Sequence, residues 1–284
     1  MAARPRTLPA AIAPVLVGTA LAGSQDTFRP LAFAAALVGS IFIQVGTNLS
    51  NDYSDARRGA DTEERLGPVR VTAGGLVPPR KVLVATWLAF GVAVAAGAYL
   101  VALVGWELLL VGAASILAGV LYTGGPRPYG YEGLGEIFVF GFFGIVAVVG
   151  SYYVQVEELR GLAFSLAVPV GLLAAAILMV NNIRDVDTDR RVNKRTIAVR
   201  LGRRRARNLF AATVYAAFLW TAGVAIASGK PAILLSLLAL PLAPPLVRTV
   251  RNRTDGPSLN RALAGSGRLL AVFSVLLSAG LLLS

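Results

Sequence analysis

The most regular feature of the chain is a succession of long apolar runs, each followed by a short stretch of polar and charged residues. A helix needs about 20 mainly apolar residues to cross a bilayer, and nine runs approach that length. They predict helices over 8–24, 30–52, 81–104, 106–123, 135–154, 162–183, 207–228, 231–248 and 265–283. The expected fold class is therefore all-α, a polytopic membrane protein with nine transmembrane helices.

Composition supports the same class. Of the 284 residues, 56% are hydrophobic and only 15% are charged, which is too apolar for a domain with a water-exposed surface. No linker or low-complexity segment divides the chain, so we expect one transmembrane domain over 1–284. Arg4 and Arg6 followed by an apolar run are also compatible with a signal peptide, but Pro5, Pro9 and Pro14 favour a retained first helix.

The net charge of +12 is distributed unevenly along the chain. If the N-terminus is cytoplasmic, the nine spans leave only Arg29, Arg160 and Lys230 of the 27 Lys and Arg residues outside the cytoplasmic segments and their edges. This is the positive-inside asymmetry of membrane proteins. It predicts a multi-pass protein of the cell membrane with cytoplasmic loops and an external C-terminus. The basic residues would face membrane lipids or an anionic substrate, and not nucleic acid.

The chain has no cysteine and no histidine. Disulfides, thiolate metal sites, a Ser-His-Asp triad and histidine-ligated zinc are thereby excluded. Any chemistry must use carboxylates, Arg, Lys, Tyr, Asn and a bound metal.

Two acidic clusters interrupt the pattern where predicted helices end. The first contains Asn48, Asn51, Asp52 and Asp55 with Asp61 close behind, and the second contains Asn181, Asn182, Asp185, Asp187 and Asp189. Ionisable side chains near hydrocarbon are costly and therefore indicate a functional site. Carboxylates also suit a hard cation such as Mg²⁺, which takes its other ligands from water and substrate phosphates.

Spacing within the clusters predicts how they bind metal. Asp52 and Asp55 are spaced i,i+3, and Asp185 and Asp189 i,i+4, so each pair projects from one face of helical backbone. Each pair could hold one Mg²⁺, and a diphosphate could bridge the two ions. Basic residues of the loops, namely Arg70, Lys194 and Arg195, could complete a clamp on the diphosphate.

Two other interpretations of the clusters stay open. The carboxylates could form a rim of salt bridges with neighbouring arginines that fixes topology. They could also bind the coupling ion of a secondary transporter, although that function predicts carboxylates near the bilayer midplane.

The acidic motifs also carry a family resemblance. Residues 51–55 look like the first aspartate-rich motif of the UbiA-type intramembrane aromatic prenyltransferases, and 182–189 resemble the second, except that Asn181 and Asn182 replace a common Tyr-Asp pair. Four further stretches, 4–10, 61–70, 122–136 and 194–202, are similar to superfamily members that use 1,4-dihydroxy-2-naphthoate in menaquinone synthesis.

The resemblance implies a fold of nine helices around a central cavity with a cytoplasmic cap, here about 53–80 and 184–206. It implies that a polyprenyl diphosphate ionises and that its allylic carbon is attacked by 1,4-dihydroxy-2-naphthoate, with loss of carbon dioxide. Asp52, Asp55, Asp185, Asp189, Arg70 and Lys194 would be catalytic, and Gln44, Asn48, Asn51, Asp61, Tyr122, Asn182 and Arg195 would bind substrates. Another aromatic acceptor remains an alternative, as does interhelical hydrogen bonding for Gln44, Asn48 and Tyr122.

Overall fold

The computed structural model describes residues 4–60 and 66–284, so the predicted binding residue Asp61 lies outside the described residues. The described parts are helical and contain no strand. The helices are α1 (Pro9–Gly23), α2 (Pro30–Arg57), α3 (Pro79–Val104), α4 (Glu107–Leu121), α5 (Gly135–Val156), α6 (Gly161–Arg184), α7 (Val186–Arg191), α8 (Ile197–Leu201), α9 (Arg203–Ser228), α10 (Pro231–Asn252) and α11 (Gly256–Leu282).

The predicted class, an all-helical polytopic membrane protein, is confirmed. Within the described ranges, eight helices are long and apolar enough to cross a membrane; the first of them is α1 together with the 3-10 turn Pro5–Thr7 before it, 19 residues in all. Helix α4 is apolar but has only 15 residues. A helix of that length rises about 22 Å, less than the roughly 30 Å of a hydrocarbon core. The ninth crossing over 106–123 therefore stays a prediction.

Helix α6 is the centre of the bundle. It contacts α1, α5, α9 and α11 and is largely buried among them, while α2, α3 and α4 pack on one another at one side. An all-round apolar helix such as α6 has to be surrounded in this way. The acidic end of α6 is consequently held among several helices.

Two spans depart from regular α-helix. Helix α5 widens into a π-helical segment at Phe140–Val146, and α10 begins as a 3-10 helix at Pro231–Leu242. Pro231 and Pro241 lie in the 3-10 segment of α10 and have no backbone N–H to donate to a helical hydrogen bond. Such interruptions commonly occur next to functional sites.

The helix ends differ from the expected boundaries where the acidic motifs lie. Helix α2 continues to Arg57, so Asp52 and Asp55 are helical as expected. Helix α6 ends at Arg184, and Asp185 adopts φ −94° and ψ 9° before α7 begins. Asp185 and Asp189 are therefore not on one continuous helix, because the chain turns between the two helices.

A close contact between glycines fixes α5 against α6. A Cβ on Gly144 would lie 2.7 Å from the Cα of Gly171 and 2.9 Å from the carbonyl oxygen of Ala167, whereas a Cβ on Gly141 would meet nothing within 4 Å. Close helix packing therefore requires glycine at position 144 but not at 141.

We expect Gly144→Ala to destabilise the protein by about 1–3 kcal/mol, because the added methyl forces the two helices apart. Gly141→Ala, in the same helical segment, is the matched control and should change stability by less than about 0.5 kcal/mol. Thermal unfolding in detergent provides the comparison, and equal melting temperatures for the two variants would contradict the packing argument.

Candidate active site

One cavity of about 960 Å³ joins the two acidic motifs to an apolar chamber. The polar residues at its acidic end come from several separate segments of the chain and include Arg4, Thr7, Gln44, Asn48, Asn51, Asp55, Arg70, Tyr122, Asn181, Asp185, Thr188, Asp189 and Lys194. The chamber is lined mainly by Ala, Val, Leu, Ile, Phe and Gly of α3, α4 and α5. The cavity can therefore accommodate a ligand with a charged head and a long apolar tail.

The two carboxylates of the first motif have different surroundings. Asp52 does not line the cavity; its Oδ1 accepts from the backbone N–H of Thr72 at 2.9 Å and its Oδ2 from that of Val71 at 3.2 Å. Asp55 lines the cavity, and its Oδ2 is 3.4 Å from Nη2 of Arg70. Asp52 thus holds the loop that carries Arg70 to Asp55.

The second motif is built around a buried arginine whose role was not apparent from the sequence. Arg184 is only 2% exposed and donates to Asp185 through Nε at 2.7 Å and Nη2 at 2.6 Å. Asp189 lies 3.7 Å from the ammonium group of Lys194. Asp187 points away from the cavity and pairs with Arg203 at 2.7 Å, with 63% of its side chain exposed.

Tyr131 links the two motifs. Its hydroxyl donates to Oδ1 of Asp55 at 2.9 Å, its ring centroid lies 5.3 Å from Nζ of Lys194, and its carbonyl accepts from the backbone N–H of Arg195 at 2.8 Å. The loop between α4 and α5 therefore contacts residues from both sides of the cavity mouth. A cation over an aromatic face is attracted by the ring quadrupole.

The predicted substrate-binding residues divide into two groups. Gln44, Asn48, Asn51 and Tyr122 line the cavity, whereas Asn182 and Arg195 do not. The amide of Asn182 donates to Oε1 of Glu136 at 2.9 Å, in a pair buried between α5 and α6. Arg195 is exposed.

Some of the lining amides already have partners. Nε2 of Gln44 donates to the hydroxyl of Thr7 at 3.1 Å, and Oδ1 of Asn51 accepts from the hydroxyl of Thr123 at 3.0 Å. Gln44 therefore makes a hydrogen bond to another segment of the chain, which was the alternative to substrate binding for this residue. Each amide retains a further polar atom for a ligand.

Aromatic rings form one wall of the cavity. Tyr122 contacts Tyr129 at 5.4 Å between centroids, Tyr129 stacks on Phe138 at 3.9 Å, and Phe142 lies 6.1 Å beyond. Burial raises the pKa of Tyr129, which therefore keeps the proton that its hydroxyl donates to the carbonyl of Ala118 at 2.9 Å.

Tyr122 follows the end of α4, in the loop near the acidic groups. Burial raises the pKa of Tyr122 well above its usual value, and the charges of Glu136, Asp55 and Asp189 act in the same direction. The Tyr122 hydroxyl is therefore protonated at neutral pH. Within 4–60 and 66–284 it makes no hydrogen bond, so it can donate to a ligand in the cavity.

The donor set fits a divalent metal only in combination with a ligand. Among the described residues, no three acidic side chains lie together as a ready-made metal site. Asp55, Asp185 and Asp189 nevertheless line one cavity. Mg²⁺ commonly uses one or two carboxylates and completes its coordination with waters and phosphate oxygens, which this arrangement allows.

A family model described as the UbiA prenyltransferase family matches residues 11–282, nearly the whole chain. The chain belongs to this family. It is 39% identical to the 1,4-dihydroxy-2-naphthoate octaprenyltransferase of Mycobacterium leprae, over 99% of this chain and 95% of that protein. Identity to the enzyme of the same name from Escherichia coli is 38%, over 97% and 94% of the two chains.

Solved structures agree on the UbiA fold. An apo UbiA homolog from Aeropyrum pernix superimposes with a TM-score of 0.71 at 16% identity, covering 97% of both chains. A UbiA homolog from Archaeoglobus fulgidus bound to DMAPP and Mg²⁺ has a TM-score of 0.58 at 15% identity, covering 96% of this chain and 98% of that one. At these identities the likeness concerns the fold alone.

Several residues at this site were not singled out from the sequence. Tyr131, Arg184 and Thr188 lie in the motifs that carry the family resemblance, so their neighbourhood was visible but their roles were not. Arg4 and Thr7 are distant in sequence from both acidic motifs. Only the folded chain brings them to the cavity.

Replacing Tyr131 by Phe should lower the free energy of unfolding by about 1–2 kcal/mol, because a buried carboxylate loses one of its donors. Tyr53→Phe is the control, since the one hydrogen bond of the Tyr53 hydroxyl within 4–60 and 66–284 comes from exposed Arg57, and its effect should stay below about 0.5 kcal/mol. Chemical or thermal unfolding of the metal-free protein measures both changes. If Tyr131→Phe is as stable as the wild type, the link to Asp55 has no energetic role.

Proposed function

We propose that the chain transfers a polyprenyl group from a polyprenyl diphosphate to 1,4-dihydroxy-2-naphthoate, with decarboxylation, giving demethylmenaquinol and diphosphate. The observation that carries the proposal is the single cavity that joins carboxylates of both motifs, with Arg70 and Lys194, to an apolar chamber. The names of relatives 38–39% identical over nearly the full length support this acceptor.

The diphosphate head would lie between the two motifs. Asp55, Asp185 and Asp189 would hold Mg²⁺, the ion bound together with DMAPP in the A. fulgidus homolog. Asp52 belongs to the proposed set of ligands, although it does not line the cavity. An ionised carboxylate has about four lone-pair sites, so Asp52 could bind metal while holding the loop. Two bound ions would neutralise the charge that develops on the leaving diphosphate.

Arg70 and Lys194 supply the cationic side of the clamp. Both line the cavity, and each lies beside a carboxylate, Asp55 and Asp189 respectively. The metals bound with the diphosphate would coordinate these carboxylates. Arg70 and Lys194 would then contact phosphate oxygens. Such interactions strengthen as negative charge develops on the leaving group, so they lower the barrier to ionisation. Arg195 is exposed, and its contact with the diphosphate stays a prediction.

The aromatic acceptor would be bound by polar groups next to the diphosphate. Tyr122 is a protonated donor, and Gln44, Asn48 and Asn51 line the same region. A dihydroxylated naphthalene ring is electron-rich, so the protein has mainly to orient it and exclude water. The predicted role of Asn182 would then be indirect, through Glu136.

The isoprenoid tail would occupy the apolar chamber between α4 and α5. The lining includes Leu109 and Leu117, which are 61% and 57% exposed on the outer side of the bundle. The chamber therefore opens toward the region where lipid would lie. A long tail could extend into hydrocarbon, where its transfer from water is favourable.

The positive-inside distribution supports placing the acidic motifs and their loops on the cytoplasmic side of the cell membrane, with the C-terminus outside. The excess of arginine at that end would also attract anionic membrane lipids.

Purified protein in detergent should convert radiolabelled polyprenyl diphosphate and 1,4-dihydroxy-2-naphthoate into a prenylated, decarboxylated product. Activity should disappear with EDTA and return with Mg²⁺, whereas Zn²⁺ should be a poor replacement, because the ligands are hard oxygens. A panel with 4-hydroxybenzoate and homogentisate tests the acceptor. Full turnover in chelator would refute the metal site, and preference for another acceptor would refute the proposed substrate.

Asp185→Asn should reduce kcat by at least about a hundredfold, because removing a charge beside the leaving group costs roughly 3 kcal/mol or more in a dry site. Asp187→Asn is the matched control two residues away, exposed and paired with Arg203, and should keep kcat within about threefold. Rates are normalised to folded protein. An equal loss in both variants would show that the carboxylates act through the structure of the segment and not through the cavity.

A further inference from the structure

A chain of hydrogen bonds connects the second acidic motif to the loop after the first. Nη1 of Arg184, whose other nitrogens hold Asp185, donates to Oδ1 of Asn260 on α11 at 2.7 Å. Nδ2 of Asn260 donates to the carbonyl of Leu66 at 3.1 Å. One carboxamide thereby joins α6, α11 and the loop, and Asn260 itself does not line the cavity.

The partners of Asn260 fix its orientation. A guanidinium can only donate and a carbonyl can only accept, so the oxygen of the amide must face Arg184 and its nitrogen must face Leu66. Aspartate could keep the first contact but not the second, and leucine could keep neither. Asparagine is thus the residue type that satisfies both sides.

The loop is held close to α11 at the same point. Gly256 begins α11, and a Cβ there would lie 2.8 Å from the carbonyl oxygen of Leu66. Five residues further along the loop, Asp52 binds the backbone N–H groups of Val71 and Thr72. The segment 66–72 is therefore fixed at both ends.

Arg70 lies between these two anchors. It is 9% exposed and faces Asp55, so its position depends on the path of the backbone on both sides. Arg184, in turn, sets the direction of the Asp185 carboxylate through two short bonds. Asn260 therefore contacts both parts of the site: it binds the loop that carries Arg70 through the carbonyl of Leu66, and it binds the Asp185 side through Arg184.

We propose that Asn260 is a positioning residue that couples the Arg70 loop to the Asp185 carboxylate, so that both sides of the diphosphate site are assembled together. The coupling rests on the proposed function only in naming the diphosphate as the ligand that both sides bind. The physical link itself is a property of the apo protein and can be measured without turnover.

Limited trypsin digestion of the full-length protein in detergent reports the loop directly. The Arg70–Val71 bond is protected, because Arg70 is buried and the N–H of Val71 is held by Asp52. Asn260→Leu should speed cleavage of this bond by about tenfold, since cleavage follows the population of the opened loop. Cleavage after exposed Arg58 should not change, and Asn252→Leu, at an exposed asparagine of α10, should behave as wild type.

Calorimetric titration with inorganic pyrophosphate and Mg²⁺ measures the affinity of the proposed diphosphate site. Asn260→Leu should weaken this binding by about three- to thirtyfold and raise KM for the polyprenyl diphosphate by a similar factor. KM for the aromatic acceptor should stay within about twofold. Asn260→Asp should loosen the loop as well, because it loses the donor to Leu66.

Gly256→Ala tests the anchor without changing Asn260. Its methyl displaces Leu66, so it should speed cleavage after Arg70 and weaken pyrophosphate binding in the same direction. The double variant Gly256→Ala/Asn260→Leu should show cleavage and affinity close to those of the single variants, because both substitutions weaken the same anchor at Leu66. This variant also provides the test if Asn260→Leu does not fold.

Unchanged cleavage and unchanged pyrophosphate affinity in Asn260→Leu and Gly256→Ala would overturn the coupling. Faster cleavage with unchanged affinity would overturn it too, because the loop would then move without consequence for the site. Failure of the proposed function has a different signature: the wild type would lack transferase activity, while the digestion pattern and the pyrophosphate titration would still decide the role of Asn260.

Discussion

Burial of carboxylates beside an apolar chamber is the constraint on which the acidic end of this helical bundle depends. Asp52, Asp55 and Asp185 are only 1–5% exposed. A buried charge without donors costs several kcal/mol, so each needs partners from elsewhere in the chain. The donors are the backbone of the loop after α2, Tyr131 before α5, and Arg184 at the end of α6. Satisfying the carboxylates therefore brings the loops over the cavity.

The same constraint explains why the site lies at helix ends. A loop can bring backbone N–H groups and arginines to a carboxylate only where the helices stop and water is near. Below this level the cavity is lined mainly by apolar side chains of α3, α4 and α5. One cavity thus has a polar end and an apolar chamber, which match the charged head and the apolar tail of the polyprenyl diphosphate in the proposed reaction.

The close contact of α5 with α6 has its own role in this arrangement. Gly144 and Gly171 allow the two backbones to meet, and the π-helical segment of α5 lies at that contact. The approach brings Glu136 to Asn182 and orders the aromatic rings of Tyr129, Phe138 and Phe142 along the chamber. Small residues at a helix interface thereby shape the cavity at a distance from the acidic motifs.

Sequence alone determined the class of the protein, the family, the two acidic motifs and the approximate positions of eight apolar spans among the described residues, although α11 begins at Gly256 and not at 265. These follow from local signals: apolar run length, charge distribution and short motifs.

The sequence did not determine what each carboxylate contacts. Spacing placed Asp52 and Asp55 on one face of a helix, yet Asp55 lines the cavity while Asp52 binds a loop. Arg184 was visible only as part of a motif, and Asn260, 76 residues further along the chain, carried no signal. Such partners are decided by tertiary structure, because a buried charge takes its donors from whichever segments the fold brings near, and that proximity is not encoded in any local pattern.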